Sequence, residues 1–364
     1  MKAVGIILAG GNSERMQELS SRRAIAAMPL AGTYRGVDFA LSNMANSNVN
    51  TVAVITQYSS RSLNEHLSSP SWWGFGRKQG GLFLLNPTIT PNNSSWYRGT
   101  ADALIQNLDF LKERHEPYVI IANGDGVYKI DLNAVMDFHM ASGSEFTVVC
   151  KEMPNAESER FGVLELDAEQ RIVGWHEKNE KAEGSFVNCG IYVVRRRYLI
   201  TLLEECQRKE LYNLVQDVLV KRLERGRFMG YVHEGYWNSI NSVKSFFDTN
   251  MELLKPELRK EFFYDFPVIH TKVDDYPPAK LNEEASVKNS LTAGGSIING
   301  RVEDSVLFKK VFVGDGSRVR HCILLNDVYV GEKCRLEYCI VEEKTKIEAG
   351  TEIIGSPDHI RIIS

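Results

Sequence analysis

From Leu307 onward the large aliphatic residues return every sixth position. Leu307, Val313, Val319 and Leu325 form one set, Val330 and Leu336 a second, and Val341, Ile347 and Ile353 a third, with a one-residue slip between sets. A period of six fits neither an amphipathic helix nor a half-buried strand. With glycines at Gly294, Gly295, Gly300, Gly314, Gly316, Gly331 and Gly350, it marks a parallel β-helix, in which each short strand stacks on its equivalent one coil earlier. A small β-sandwich with coincidental spacing is the competing reading. A β-helix this short leaves faces open to stacking, so an oligomer is expected.

The chain before it follows a different rule. VGIILAGGNSER (Val4–Arg15) is a continuous apolar run that ends in two glycines. Continuity rather than alternation is what a parallel strand buried on both faces shows, and the glycines permit a sharp turn whose free amides can hold an anion. Strand-like TVAVITQY and YVIIANGD alternate with helical patterns near 37–47 and 101–112. FTVVCKEM, RFGVLELD, RIVGWHEK and CGIYVVRR continue with more β character, and a helix near 243–254 closes the unit. This is the alternation of a doubly wound α/β sheet. Pro256, Pro267, Pro277 and Pro278 then break regular structure. The expected division is an α/β domain over 1–254, a linker over 255–280 and the β-helix over 281–364.

Composition restricts the partners. Of 364 residues, 43% are hydrophobic and 25% charged, which is ordinary globular usage. A net charge of -4 argues against nucleic acid or an anionic membrane, since such binding needs clustered excess Lys and Arg. The chain enters its first strand from MKAVGII and has no apolar run long enough to span a bilayer, so the expected place is the cytoplasm. The six cysteines include no CxxC pair and read as small buried hydrophobes rather than as disulfides or zinc ligands. His66, His115, His139 and His176 do not fall at metal-ligand spacing.

In an open α/β sheet a ligand lies outside the carboxyl ends of the strands. Gly10 to Arg15 follows one such end, and Asn123-Gly124-Asp125 another. A carboxylate there can hold magnesium through one or two oxygens while phosphates supply the rest, although Asp125 taken alone is as simply a turn aspartate.

Further segments decide between these readings: GTYRGVDFALSN, WYRGTADA (Trp96–Ala103), NGDGVYKID, RFGV (Arg160–Val163), HEKN (His176–Asn179), NCGIYV (Asn188–Val193) and YWNSI (Tyr236–Ile240). With LAGGNSER they stand in the order and at about the spacing of glucose-1-phosphate adenylyltransferase, the bacterial ADP-glucose pyrophosphorylase. The resemblance spans nearly the whole chain. It implies a Rossmann-like nucleotidyltransferase domain with a mostly parallel sheet and a C-terminal left-handed parallel β-helix. The implied reaction is attack by the phosphate of glucose 1-phosphate on the α-phosphorus of ATP. By resemblance Arg15 and Asp125 are the retained catalytic positions, and Asp125 is the first magnesium ligand. Gly10, Gly11, Tyr97 and Gly99 fall on the nucleotide side. Gly162, Glu177, Lys178 and Asn188 fall on the sugar-phosphate side.

The departures from the family pattern are chemical. The family loop reads GGxGxRL, whereas here Ser13 replaces the last glycine and Glu14 follows it. RAKPAVP becomes RAIAAMP, so Ile25 replaces a lysine. YWRDVGT becomes YWNSINS, so Ser239 replaces the second magnesium aspartate. SMG carries Asn188 in place of its serine, and the glutamine used near adenine is not recognisable around Leu84 to Ile89. Among members of this family the chain most resembles the non-catalytic regulatory paralogue, which would assemble with a catalytic subunit, as a hetero-tetramer, and modulate it. Magnesium binding would be weakened, and no cofactor would be required. The pocket would keep a sugar phosphate or nucleotide as its signal. Two rivals stay open: an active enzyme in which Asp131 or a neighbour replaces the lost ligand, and a stand-alone metabolite sensor.

Overall fold

The computed structural model describes residues 2–76, 80–89, 95–153, 161–177 and 185–364. In chain order its first strands are β1 (Ala3–Leu8), β2 (Pro29–Leu30), β3 (Tyr34–Arg35), β4 (Thr51–Ile55), β5 (Gly81–Leu85), β6 (Tyr118–Asn123), β7 (Gly126–Tyr128), β8 (Phe146–Glu152), β9 (Gly162–Leu166), β10 (Ile172–Glu177), β11 (Phe186–Arg195), β12 (Phe228–Val232) and β13 (Trp237–Ser239). The helices are α1 (Gly36–Asn46), α2 (Arg61–Leu67), α3 (Thr100–Gln106), α4 (Leu108–Lys112), α5 (Leu132–Ala141), α6 (Arg196–Arg208), α7 (Val243–Glu252) and α8 (Pro256–Phe263). None is long and apolar enough to cross a membrane. Packing groups the chain into two compact units. The first comprises Met1–Gly11, Phe39–Ser60 and Trp73–Asn238, and the second Asn12–Asp38, Arg61–Trp72 and Ser239–Ser364.

The first unit is built on a 9-stranded sheet running β10-β9-β11-β6-β1-β4-β5, with β8 beside β11 and β12 beside β8. The continuous apolar run of the sequence becomes β1, central and parallel to both β4 and β6. Flanked on both sides, it has no exposed edge and no polar face, which is why it does not alternate. β11 enters antiparallel to β6 and β8, so the sheet changes character where the sequence does. The helical pattern over 101–112 folds as two helices. Asn107 turns its side-chain amide back to the Ala103 carbonyl (2.8 Å) and adopts φ −111, ψ 22, the back-bonding by which a short amide side chain interrupts a helix.

In the second unit the six-residue spacing folds as three ladders of parallel strands. One stacks Lys280–Leu281, Ile297–Ile298, Phe312–Val313, Tyr329–Val330 and Lys346–Ile347. A second aligns Arg301, Arg318, Arg335 and Glu352, and a third aligns Leu291, Val306, Ile323, Ile340 and Ile362. This is consistent with a left-handed β-helix. Equivalent positions in the last coils lie 17 residues apart, as in the bond from Cys322 N–H to the Ser305 hydroxyl. Two steps of six and one of five make the coil, so the first slip falls between Val319 and Leu324, and Leu324 rather than Leu325 stacks on Leu307. Its corners carry left-handed backbone at stacked positions: His321 and Tyr338, Asp327 and Lys344, and Gly316, Lys333 and Gly350. Val302, Leu307, Val313, Val319, Leu324 and Leu336 fill the interior. All six cysteines are buried and free, three of them in this core.

Candidate functional site

At the carboxyl ends of β1 and β4 the first unit holds a cavity of about 270 Å³ walled by Leu8, Ile55, Ala103 and the chain from Tyr97 to Thr100. Gly10 and Gly11 sit at its edge for different reasons. A Cβ at Gly10 would lie 3.1 Å from the Gln57 Cβ and 3.3 Å from its backbone nitrogen, whereas a Cβ at Gly11 would meet nothing. The Tyr97 backbone is held from both sides: its N–H donates to Gln57 Oε1 (2.8 Å) and its carbonyl accepts from Gln57 Nε2 (3.3 Å). The buried Tyr97 ring receives a bond at its hydroxyl from Asn107 (2.9 Å), and burial raises its phenol pKa. Gly99 is sterically required, since any Cβ there would strike the Tyr212 carbonyl. That same carbonyl accepts from the amides of Ala101 (2.8 Å) and Asp102 (3.2 Å), so these first-turn donors of α3 are engaged by the protein itself. Arg98 is likewise engaged, with bonds to the buried Asp102 and to the Tyr212 hydroxyl (2.7 Å) and its guanidinium stacked 3.8 Å from the Tyr212 ring centre.

The second group of positions lies along β6, β9, β10 and β11. The turn after β6 is anchored by a bond from Gly124 N–H to the Leu8 carbonyl (2.9 Å), and it leaves Asp125 half-buried. Burial, reinforced by thiol and carboxylate charges that include Asp125, pushes the phenols of Tyr128 and Tyr192 well above their usual range. Asn188 stands at a bulge in β11, donating to the Tyr192 hydroxyl (2.8 Å) and accepting from Gly190 N–H (2.9 Å). Gly190 has φ 71, with the Asn123 side chain packed against it. Glu177 faces Gly162 across the β9–β10 pair. Its carboxylate fills the space a side chain at Gly162 would need, and it accepts from Trp175 Nε1 (3.3 Å). Lys178 lies outside the described residues.

The remaining positions belong to the second unit. Arg15 is exposed on a short helical turn, Glu14–Ser20. Ile25 is 6% exposed in a single turn, Ile25–Ala27, and Ser239 is 6% exposed at the end of β13. Asp38, at the start of α1, accepts from Arg35 N–H (2.9 Å) and lies within hydrogen-bond distance of His66 Nε2 of α2 (2.6 Å), so His66 is a buried partner of that carboxylate.

Residues 4–256 match the family described as Nucleotidyl transferase, and residues 277–359 match the GlmU-like C-terminal hexapeptide family. Glucose-1-phosphate adenylyltransferase of Thermosipho africanus is 34% identical over 87% of this chain and 77% of its own length. The enzyme of the same name from Fervidobacterium nodosum is 32% identical over 96% and 85%. That of Clostridium perfringens strain 13 is 34% identical over 87% and 81%. The chain belongs to the glucose-1-phosphate adenylyltransferase family. Its membership bears on the metal that the resemblance implies. Among the described residues no group of three or more His, Cys, Asp or Glu could hold an ion. A hard divalent cation prefers carboxylates, and of the two positions the resemblance assigns, Asp125 keeps one while Ser239 is a neutral hydroxyl.

Sequence reasoning missed Gln57 and the brace of Arg98, Asp102 and Tyr212. ITQY contains Gln57 in plain view, but its role depends on Tyr97, 40 residues later. Tyr212 lies in a stretch with no motif.

Proposed function

We propose that the chain is a regulatory, catalytically weak or inactive member of the glucose-1-phosphate adenylyltransferase family, acting on a catalytic subunit in bacterial glycogen synthesis. The observation that carries this reading is the combination of a shaped cavity beside Gly10, Tyr97 and Gly99 with buried neutral side chains at Ile25 and Ser239. In a displacement at phosphorus the protein contributes positioning and charge neutralisation. Loss of one preorganised group acting in the transition state costs about 3 kcal/mol, or roughly a hundredfold in rate. Here a cation at Ile25 and an anion at Ser239 are missing together, and Glu14 adds negative charge in the loop. The two effects need not add, but replaced together they lead to an expected turnover too low to matter.

Binding outlives catalysis in this reading. Gly10, Gly11, Tyr97 and Gly99 hold a nucleotide, and Gly162, Glu177, Lys178 and Asn188 hold a sugar phosphate. Arg15 and Asp125 remain as residual positions, Asp125 a weak magnesium ligand on its own. Occupancy would bias a hetero-tetramer with the catalytic subunit by a coupling of about 1 to 3 kcal/mol. The working place is the cytoplasm. The test is ADP-glucose formation by the chain alone and on titration into a catalytic paralogue from the same organism. The expected result is no turnover alone and a saturable change in the partner's rate or substrate affinity. Retention of Asp125 and Glu177, together with the enzyme names of the relatives, favours an active enzyme as the second reading, and robust turnover by the chain alone would establish it.

A further inference from the structure

Ser13 has all three of its polar groups engaged inside the second unit. Its N–H donates to Asn12 Oδ1 (2.8 Å), its carbonyl accepts from Met16 N–H (3.0 Å), and its hydroxyl donates to the carbonyl of Asn241 (2.8 Å), 228 residues along the chain. A serine with extended backbone just before a helical turn would ordinarily cap that turn. Ser13 has that backbone, φ −142 and ψ 122, yet makes no capping bond. Its acceptor is firmly placed, because Asn241 precedes α7. The first turn of α7 is closed by reciprocal bonds between Ser242 and Ser245, from Ser242 N–H to Ser245 Oγ (3.0 Å) and from Ser245 N–H to Ser242 Oγ (3.1 Å).

The turn that follows carries a second mark. Gln17 has φ 50 and ψ −135, outside the left-handed helical well, between Met16 and Leu19, which are both fully buried. A non-glycine residue stays in such a region only where its surroundings hold it there. Met16 and Leu19 pin the inner side of the turn, and the Ser13–Asn241 bond pins its beginning.

We propose that Ser13 is a latch that holds the Asn12–Ser20 loop closed to a polyphosphate. A phosphate-binding loop works by offering free backbone N–H groups. Here the Ser13 N–H faces Asn12, and the tether to Asn241 keeps it there. Glycine, the residue of the family pattern, has no hydroxyl with which to make the tether. Ser13 is thus a positioning residue that acts through the loop backbone. The phosphate role of the loop rests on the reading given under Proposed function, but the latch itself does not.

The test uses the full chain and four forms: wild type, Ser13→Ala, Ser13→Gly and Ser13→Thr. The first readout is limited trypsin cleavage after Arg15, with cleavage after the exposed Arg197 as internal reference. Loss of one net hydrogen bond should raise the open population about fivefold. Cleavage after Arg15 is therefore expected to accelerate by about that factor in Ser13→Ala and Ser13→Gly, and to stay near wild type in Ser13→Thr, which keeps the hydroxyl. Cleavage after Arg197 should not move. The second readout is calorimetric titration with inorganic tripolyphosphate, expected to tighten in Ser13→Ala and further in Ser13→Gly. Unchanged cleavage after Arg15 in Ser13→Ala overturns the latch. Faster cleavage with unchanged tripolyphosphate affinity overturns its action against phosphate. Robust ADP-glucose synthesis by the wild type would refute the regulatory reading while leaving the cleavage result in force.

Discussion

Removing the Glu342 carboxylate should loosen the second unit more than any surface change. Arg23 and Glu342 form a double bond of charges, NH1 to Oε1 and NH2 to Oε2, each at 2.8 Å. The two side chains are only 4% and 2% exposed. The pair joins residues 319 apart and ties the segment that carries Arg15 and Ile25 to the β-helix coils. Truncating one partner of such a pair leaves a buried uncompensated charge, at about 3 to 5 kcal/mol. Glu343 stands 3.5 Å from the same guanidinium and is 34% exposed, so it screens part of the loss. Glu342→Leu is therefore expected at the lower end, about 3 kcal/mol. Urea unfolding followed by far-ultraviolet dichroism should show the transition of the second unit moving down by about 1 M, for a slope of about 3 kcal/mol per M. Hydrogen exchange over residues 12–38 should accelerate with it. The double variant Arg23→Met with Glu342→Leu should recover most of the loss, because a packed apolar pair replaces an ion pair at little cost. A single variant within about 0.5 kcal/mol of wild type, or a double variant no better than the single, would refute the argument.

Three further outcomes are expected. His139, 1% exposed with Nδ1 bonded to Thr147 Oγ1 (2.8 Å), has its pKa lowered from 6.5 to about 4 by burial and secondarily by Arg195. The unfolded chain thus takes up a proton that the folded chain refuses, and stability falls as pH drops from about 6.5 to 4 by on the order of 3 kcal/mol. His139→Gln should flatten a urea-midpoint profile over that window, and a profile of unchanged slope would contradict the assignment. Gly99→Ala should push the α3 entry off the Tyr212 carbonyl and weaken nucleotide binding at least tenfold in a fluorescence titration, and an unchanged affinity would contradict the steric requirement at Gly99. Under the regulatory reading, Ile25→Lys with Ser239→Asp should raise ADP-glucose formation by at least about a hundredfold. An already efficient enzyme would gain little.

What the sequence determined by itself is periodic or local. The six-residue spacing specified stacked coils because every inward position must be apolar, whatever lies far away along the chain. The unbroken run from Val4 to Ala9 specified a central parallel strand for the same reason. Gly10 and Asp125 could be placed because strand ends are legible from the strands. What only the tertiary structure decided involves partners distant in sequence. Asn107 breaks the helix after α3 while also reaching Tyr97, and the five-residue step of each coil has meaning only once its corners stack. Gln57 acquires a role from Tyr97, Gly99 from Tyr212, Arg23 from Glu342 and Ser13 from Asn241. A hydrogen bond or buried ion pair needs its two groups within a few ångströms, and no spacing along the chain encodes that distance. Apolar periodicity states which face turns inward, and folding alone states what that face, and the polar groups beside it, will meet.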